Sequence, residues 1–186
     1  MGHALQRDRL EIDAYLAWDH TQTERSQLVD GEIFAMTGAE DRHVTVAGNV
    51  YIALREHLRD SPCRVYMSDM KLRVDAARSV FYPDVMVTCD PRDHDSRLLK
   101  QHPCLVVEVL SPSTAAFDRG DKFAHYRQLP SLAEYLLIDL DTRRCDLYRK
   151  GADGLWVLHP TEPGQALSLA SVDLSLSAQR LFEQVD

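Results

Sequence analysis

The sequence lacks the features that would place it in a membrane or a secretory pathway. No apolar run approaches the roughly 18 residues that a membrane-spanning helix requires, and the segment Met1–Asp8 lacks the apolar core of a secretory signal. The four cysteines are widely spaced and form no C-x-x-C pair, which argues against a zinc knuckle or a redox motif. We therefore expect a cytoplasmic protein with no membrane partner, whose cysteines are reduced, buried thiols.

Positive charge is also scarce. The chain has 21 Lys and Arg against 29 Asp and Glu, a formal net charge of −8. A strongly basic domain would indicate nucleic-acid binding, and this balance weakens that hypothesis. It does not remove it, because an acidic metal site contributes negative charge until a cation binds. The sequence has no H-E-x-x-H, G-x-S-x-G or P-loop motif, so zinc-protease chemistry in particular is unsupported.

Length and patterning indicate one domain spanning residues 1–186, with no internal repeat and no long linker. Asp30-Gly31 between two apolar runs predicts a β-hairpin. Apolar spacing predicts helices over 10–19, 41–58, 116–129 and 178–182. Strands are predicted over 63–67, 70–74, 82–88, 104–110, 135–140, 144–150, 155–159 and 167–169. This order predicts an α/β fold with a mixed β-sheet flanked by helices.

Two acidic residues lie inside apolar, β-favouring runs. Asp84 follows Pro83 in the run 81–87, and Glu108 lies in the run 104–110. A carboxylate in a buried strand is costly unless it is paired or bound to a cation. If the two strands are neighbours, the carboxylates converge on one face and repel each other unless a cation lies between them. Mg²⁺ prefers such oxygen ligands, and it can activate water and neutralise charge on a phosphate.

Each candidate residue also has a structural interpretation. Asp84 can be a strand-entry residue after proline, and Glu108 can form a buried ion pair. Lys122 can pair with Asp118 at i,i+4, or its ammonium can lie beside a metal-bound water. His43 opens the long helix, where it is either a polar flank or a phosphate contact or auxiliary acid.

These residues, in order, resemble the Uma-type restriction endonuclease family of the PD-(D/E)xK nuclease superfamily. The resemblance covers about residues 8–183, and the matching stretches are 28–32, His43, 82–87, 106–114, 118–123 and 134–139. It implies a restriction-endonuclease-like fold and Mg²⁺-dependent phosphodiester hydrolysis, with Mn²⁺ as a possible substitute. It also implies that Asp84 and Glu108 are the two motif acids and that the backbone carbonyl of Val109 is a further metal ligand.

One position departs from the superfamily pattern. The motif lysine belongs two residues after the second acid, where this chain has Leu110. The resemblance implies that the family supplies the lysine from the following helix, and Lys122 is the matching position.

The resulting hypothesis is a Mg²⁺-dependent DNA endonuclease in which Asp84, Glu108 and Lys122 are catalytic and His43 contacts substrate. One alternative is a binding or interaction protein that keeps the fold without turnover. The other is a metal-dependent phosphodiesterase that acts on RNA or a nucleotide. A homodimer is consistent with cutting both strands of DNA, because a two-fold axis relates them.

Overall fold

Residues 9–36 and 38–185 are described by a computed structural model. The segment Met1–Asp8, on which the expectation about a secretory signal depends, lies outside these residues. The helices are α1 (Ile12–Asp19), α2 (Asp41–His57), α3 (Ala115–Arg119), α4 (Asp121–Tyr126) and α5 (Ala178–Leu181). The strands are β1 (Ser26–Val29), β2 (Glu32–Ala35), β3 (Arg64–Met67), β4 (Lys71–Val74), β5 (Ser79–Phe81), β6 (Val85–Thr88), β7 (Leu99–Lys100), β8 (Leu105–Val109), β9 (Glu134–Asp139), β10 (Arg144–Lys150), β11 (Trp156–Thr161), β12 (Leu167–Leu169) and β13 (Leu174–Leu176).

The strands form two larger sheets and a small hairpin. One sheet has the order β2-β1-β5-β4-β7, the other has the order β11-β10-β9-β8-β6-β3, and β12 pairs with β13. Strands β8 and β9 are parallel, whereas β6 is antiparallel to both β3 and β8. The predicted α/β architecture with mixed sheets and flanking helices is therefore confirmed.

Strands β6 and β8 are buried on both faces, which explains their almost continuous apolar sequences. On one face, Val85 and Val107 belong to a core cluster with residues of α2. On the other face, Met86 and Val106 belong to a second cluster, with Tyr126 of α4. Each fully buried aliphatic side chain contributes about 1.5–3 kcal/mol, so the region around the two acids is among the most firmly held parts of the fold.

The predicted hairpin at Asp30-Gly31 is confirmed. Strands β1 and β2 pair across these two residues, whose φ angles are +46° and +82°. Positive φ at both central positions is the conformation that matches the twist of the flanking strands, and glycine adopts it without steric cost. A Cβ at Gly31 would also lie 2.6 Å from Arg9 Cβ, so a larger residue would force a local shift.

One helix differs from its prediction. The single helix expected over 116–129 is two short helices, α3 and α4, which meet at Gly120. Glycine has the lowest helix propensity after proline, so the break falls at the weakest position. In α2, Val44 is 55% exposed, while Val46 and Val50 are fully buried. The buried side of α2 therefore does not include Val44.

The expectation that all four cysteines are reduced thiols was wrong. Cys63 and Cys89 form a disulfide bond. Cys63 directly precedes β3 and Cys89 directly follows β6, and these two strands are antiparallel neighbours, so their ends meet. The two cysteines are 26 residues apart, and only the pairing of the strands brings them together. Cys104 and Cys145 are free thiols.

Among residues 9–36 and 38–185, none of the helices combines the length and the apolar character needed to cross a bilayer.

Candidate active site

The two acids predicted from the sequence lie next to each other on one side of the sheet. Strands β6 and β8 pair with Val85 opposite Val107 and Met86 opposite Val106. One further step along this register places Asp84 opposite Glu108. Because alternate residues of a strand share a face, both acids lie on the side of Met86 and Val106. The expected convergence of the two positions is thus observed.

Asp84 is held at both carboxylate oxygens. The backbone N–H of Val109 donates to Oδ2 at 2.7 Å, and Nε2 of His43 lies 2.9 Å from Oδ1. His43 is in the first turn of α2, so this contact ties the start of the helix to the strand. Burial is the largest single effect and lowers the pKa of His43. The hydrogen bond with Asp84 and the negative charges of Asp84, Glu108 and Asp118 together outweigh it, so the pKa is raised. The structure thus places His43 against the first acid, and its contact with substrate stays a prediction.

Glu108 is almost completely buried and is contacted by two residues of α4. The hydroxyl of Tyr126 donates to Oε1 at 2.9 Å, and the ammonium of Lys122 lies 2.8 Å from the same oxygen. Within residues 9–36 and 38–185, Oε2 has no hydrogen-bond donor. Lys122 thus reaches the second acid from the following helix, as the family resemblance implies.

The charges at this site do not balance. Burial raises the pKa of Glu108 to about 8; Lys122 opposes the shift, while Asp84 and Asp118 add to it. Burial lowers the pKa of Lys122, but Glu108 and Asp118 outweigh it and raise the value above its ordinary range. The carboxylates outnumber the buried ammonium, which adds to the raised pKa of Glu108 and accounts for the raised pKa of Lys122. Such a cluster is stabilised by a further cation.

These residues line a cleft of about 640 Å³. Asp84, Glu108 and Lys122 lie on its wall. The segment 111–114 and the start of α2 form other parts of the lining. Arg42, on the α2 side, is paired with Asp141 at 3.1 Å. The reacting groups are therefore reachable from solvent although Glu108 itself is buried.

Two residues of the site were not assigned a role from the sequence. The sequence indicated no role for Tyr126, and for Asp118 it indicated only an i,i+4 pair with Lys122. In the structure, Asp118 Oδ1 lies 3.1 Å from Lys122 Nζ. Asp118, Lys122 and Tyr126 are four positions apart along the chain, and this i,i+4 spacing was the signal that could have shown that all three share one side of the segment.

The residues are compatible with a hard divalent cation that keeps part of its water shell. In the described part of the chain, no three His, Cys, Asp or Glu side chains are grouped so that they alone could hold a metal. Two carboxylates, a backbone carbonyl and several waters are instead the type of ligand set that Mg²⁺ uses in proteins. The surplus of negative charge around Glu108 favours the same ion.

Comparison with known proteins agrees with the resemblance seen in the sequence. The model of the Uma2 family, described as "Putative restriction endonuclease", matches residues 12–179. The chain belongs to the Uma2 family. Two relatives from Synechocystis sp. are the uncharacterized proteins slr1290 and sll1609. The first is 38% identical over 94% of this chain and 92% of its own length. The second is 39% identical over 77% of this chain and 82% of its own length.

A solved structure supports the fold of this Uma2 family member. It is the crystal structure of "a putative nuclease belonging to DUF820" from Anabaena variabilis, which aligns with a TM-score of 0.77. The alignment covers 93% of this chain and 97% of that protein at 17% identity. At this identity the likeness establishes a shared nuclease-like fold, and the chemistry has to be argued from the residues of this chain.

Proposed function

We propose that this protein is a Mg²⁺-dependent endonuclease that hydrolyses phosphodiester bonds in DNA, with Mn²⁺ as an alternative cofactor. The observation that carries the proposal is the position of Asp84 opposite Glu108 on the wall of an open cleft. A surplus of carboxylate charge surrounds this pair. Membership in the Uma2 family supports nuclease chemistry in general, and the metal and the substrate are the specific parts of the proposal.

The chain's own residues have distinct roles in this proposal. Asp84, Glu108 and the backbone carbonyl of Val109 would hold the ion. When bound, the ion lowers the pKa of a bound water and neutralises charge on the phosphate. His43 and the N–H of Val109 fix the orientation of the Asp84 carboxylate. The ammonium of Lys122, next to Glu108, can orient the attacking water or stabilise negative charge that develops on the phosphoryl oxygens.

A cleavage assay tests the metal and the acids together. Wild-type protein is compared with Asp84→Asn and Glu108→Gln on plasmid DNA, with Mg²⁺, with Mn²⁺ and with EDTA. We expect cleavage only by the wild type and only with a divalent cation. Glu162→Gln is a matched control, because this half-exposed carboxylate pairs with Arg144 away from the cleft. Equal cleavage by all four proteins would assign the activity to a contaminant and contradict the proposal.

A substrate panel tests the choice of DNA. Double-stranded DNA, single-stranded DNA, RNA and a small phosphodiester are offered at equal concentration. We expect DNA to be cut fastest and its binding to weaken as salt rises, because phosphate contacts release counterions. Faster cleavage of RNA or of the small diester would replace DNA with that substrate. Metal binding without turnover of any substrate would favour a non-catalytic binding protein.

The cellular location and the oligomeric state are also part of the proposal. We propose that the protein works in the cytoplasm and acts as a homodimer when it cuts both strands. Light scattering of the purified protein, with and without a DNA duplex, tests the dimer. A single protomer per duplex at cleavage-competent concentrations would contradict it.

A further inference from the structure

Asp118 is a buried carboxylate that the proposed function does not use. Its side chain is only 4% exposed. Among the described residues, its Oδ1 is one of three buried side-chain atoms that have no hydrogen-bond partner. The ammonium of Lys122 lies 3.1 Å away, so the two charges are in contact without the geometry of a hydrogen bond. Buried polar groups are nearly always hydrogen-bonded, so an exception of this kind requires an explanation.

The fold holds Asp118 in place by its backbone. It lies near the end of α3, and the hydroxyl of Tyr135 on β9 donates to its backbone carbonyl at 3.0 Å. Lys122 lies near the start of α4, on the other side of the break at Gly120. The two side chains therefore come from different short helices whose junction faces the site. An exposed i,i+4 pair would contribute only a few tenths of a kcal/mol, which does not explain the burial of both charges.

Lys122 is shared between two carboxylates. Its Nζ is 2.8 Å from Oε1 of Glu108 and 3.1 Å from Oδ1 of Asp118. If Glu108 binds a divalent cation, the ammonium and the ion compete for the same carboxylate and repel each other. Lys122 must then lose part of its contact with Glu108. A buried ammonium without a second carboxylate would be left unpaired, which is costly.

We propose that Asp118 is a positioning residue that retains the Lys122 ammonium in the site when Glu108 takes up the divalent cation. The inference rests on the proposed function and adds to it a role for a third acid. The Oδ1 atom, which is in contact with Lys122 without a directed hydrogen bond, is the oxygen that becomes the main partner of the ammonium. Asp118 thus acts through Lys122, and it is not itself a ligand.

A double-mutant cycle in Mn²⁺ affinity tests this role without depending on turnover. Calorimetry is carried out on the wild type, Asp118→Asn, Lys122→Met and the double variant. We expect Asp118→Asn to weaken Mn²⁺ binding about tenfold, a coupling of the size found between contacting residues. Lys122→Met should bind Mn²⁺ at least as tightly as the wild type, because the competing ammonium is gone. In the Lys122→Met background, Asp118→Asn should change the affinity less than about threefold.

Asp146→Asn is the matched control. Asp146, on β10, pairs with Arg119, the residue that follows Asp118 in α3. The change therefore removes one carboxylate charge without removing either acidic partner of Lys122. It should leave Mn²⁺ affinity within about twofold in both backgrounds. Thermal unfolding of each metal-free variant shows whether it is folded. If Asp118→Asn does not fold, the cycle is repeated with Asp118→Glu, whose longer side chain displaces the carboxylate.

The outcomes separate the inference from the proposed function. Equal effects of the Asp118 change with and without Lys122 would mean that Asp118 acts only as a nearby charge, and would overturn the inference. No effect, or weaker Mn²⁺ binding by Lys122→Met than by the wild type, would overturn it as well. If the wild type binds no Mn²⁺, the proposed function fails and the inference fails with it. If the wild type binds Mn²⁺ but the effects add, only the inference fails.

Discussion

Two buried glutamates on adjacent strands show how differently the fold treats one residue type. Glu134 begins β9 and is fully buried. Glu108 lies near the end of the parallel neighbour β8 and is 3% exposed. Glu134 accepts four hydrogen bonds, divided between its two oxygens. Both contacts of Glu108 go to one oxygen.

The partners of the two glutamates explain the difference. Arg149 supplies a compensating charge to Glu134, and the backbone N–H groups of Ala170 and Ser171 donate hydrogen bonds to its carboxylate oxygens. Glu134 therefore anchors the connection between β12 and β13. Glu108 instead shares its single ammonium with a second acid, Asp118. Burial alone does not distinguish a functional carboxylate from a structural one, whereas incomplete partnering combined with surplus negative charge does.

The largest expected difference is in cleavage. Glu108→Gln should reduce kcat on the order of 10³-fold or more, because a metal ligand that stabilises the transition state by several kcal/mol is lost. Glu134→Gln should keep the wild-type rate per folded molecule, since the hydrogen-bond partners of its carboxylate, Arg149, Ala170 and Ser171, do not line the cleft. Initial rates with Mg²⁺ are divided by the folded fraction measured by circular dichroism. A comparable loss of rate in both variants would remove the functional distinction between the two residues.

The free energy of unfolding should change more in Glu134→Gln than in Glu108→Gln, which is the reverse of the order expected for cleavage. Glu134→Gln should lower the free energy of unfolding by about 3 kcal/mol, because it removes a buried charge to which several donors point. In the metal-free protein at pH 5, well below the raised pKa of Glu108, Glu108→Gln should change it by less than about 1 kcal/mol, since both side chains are then neutral. Urea unfolding in EDTA measures both values. A larger loss for Glu108→Gln would show that its ion pair with Lys122 is mainly structural.

The raised pKa of Glu108 predicts a dependence of stability on pH. The folded pKa of about 8 lies above the ordinary value of 4.5, so the folded state binds the proton more tightly than the unfolded state. This stabilisation is complete below about pH 4.5 and is lost as the pH rises toward 8. Glu108 is faced by Asp84 from the entrance of β6, by Asp118 from α3, and by Lys122 and Tyr126 from α4.

The difference in unfolding free energy between wild type and Glu108→Gln isolates this contribution. In EDTA, the wild type should lose stability relative to the glutamine variant as the pH rises from 5 to 8, by a few kcal/mol at most. Added Mn²⁺ should stabilise the wild type more strongly at pH 8 than at pH 5.5, because the cation competes with the proton. A difference that is constant over this range would mean that Glu108 is already ionised at pH 5.

Much of this arrangement could be predicted from the sequence, because the relevant signals are local. The apolar runs around Asp84 and Glu108 predicted two buried strands, and their burial on both faces is observed. The helix break at Gly120 was missed because the apolar pattern continues across it. Two other features depend on which strands and turns become neighbours. These are the disulfide between Cys63 and Cys89 and the set of hydrogen bonds to Glu134. Such long-range pairings leave no trace in local spacing.

Tyr126→Phe gives the smallest of the expected effects and examines the contact that the sequence did not reveal. Its hydroxyl donates one hydrogen bond to Oε1 of Glu108, and its ring packs edge-on against Phe81. Removal of the hydroxyl should cost about 1 kcal/mol of stability or less, because the ring contacts remain. Mn²⁺ affinity should change only a few-fold, since the hydroxyl orients Glu108 without carrying charge. Calorimetry and urea unfolding measure the two effects. A loss of Mn²⁺ binding as large as that of Glu108→Gln would mean that the orientation of this carboxylate, more than its charge, creates the cation site.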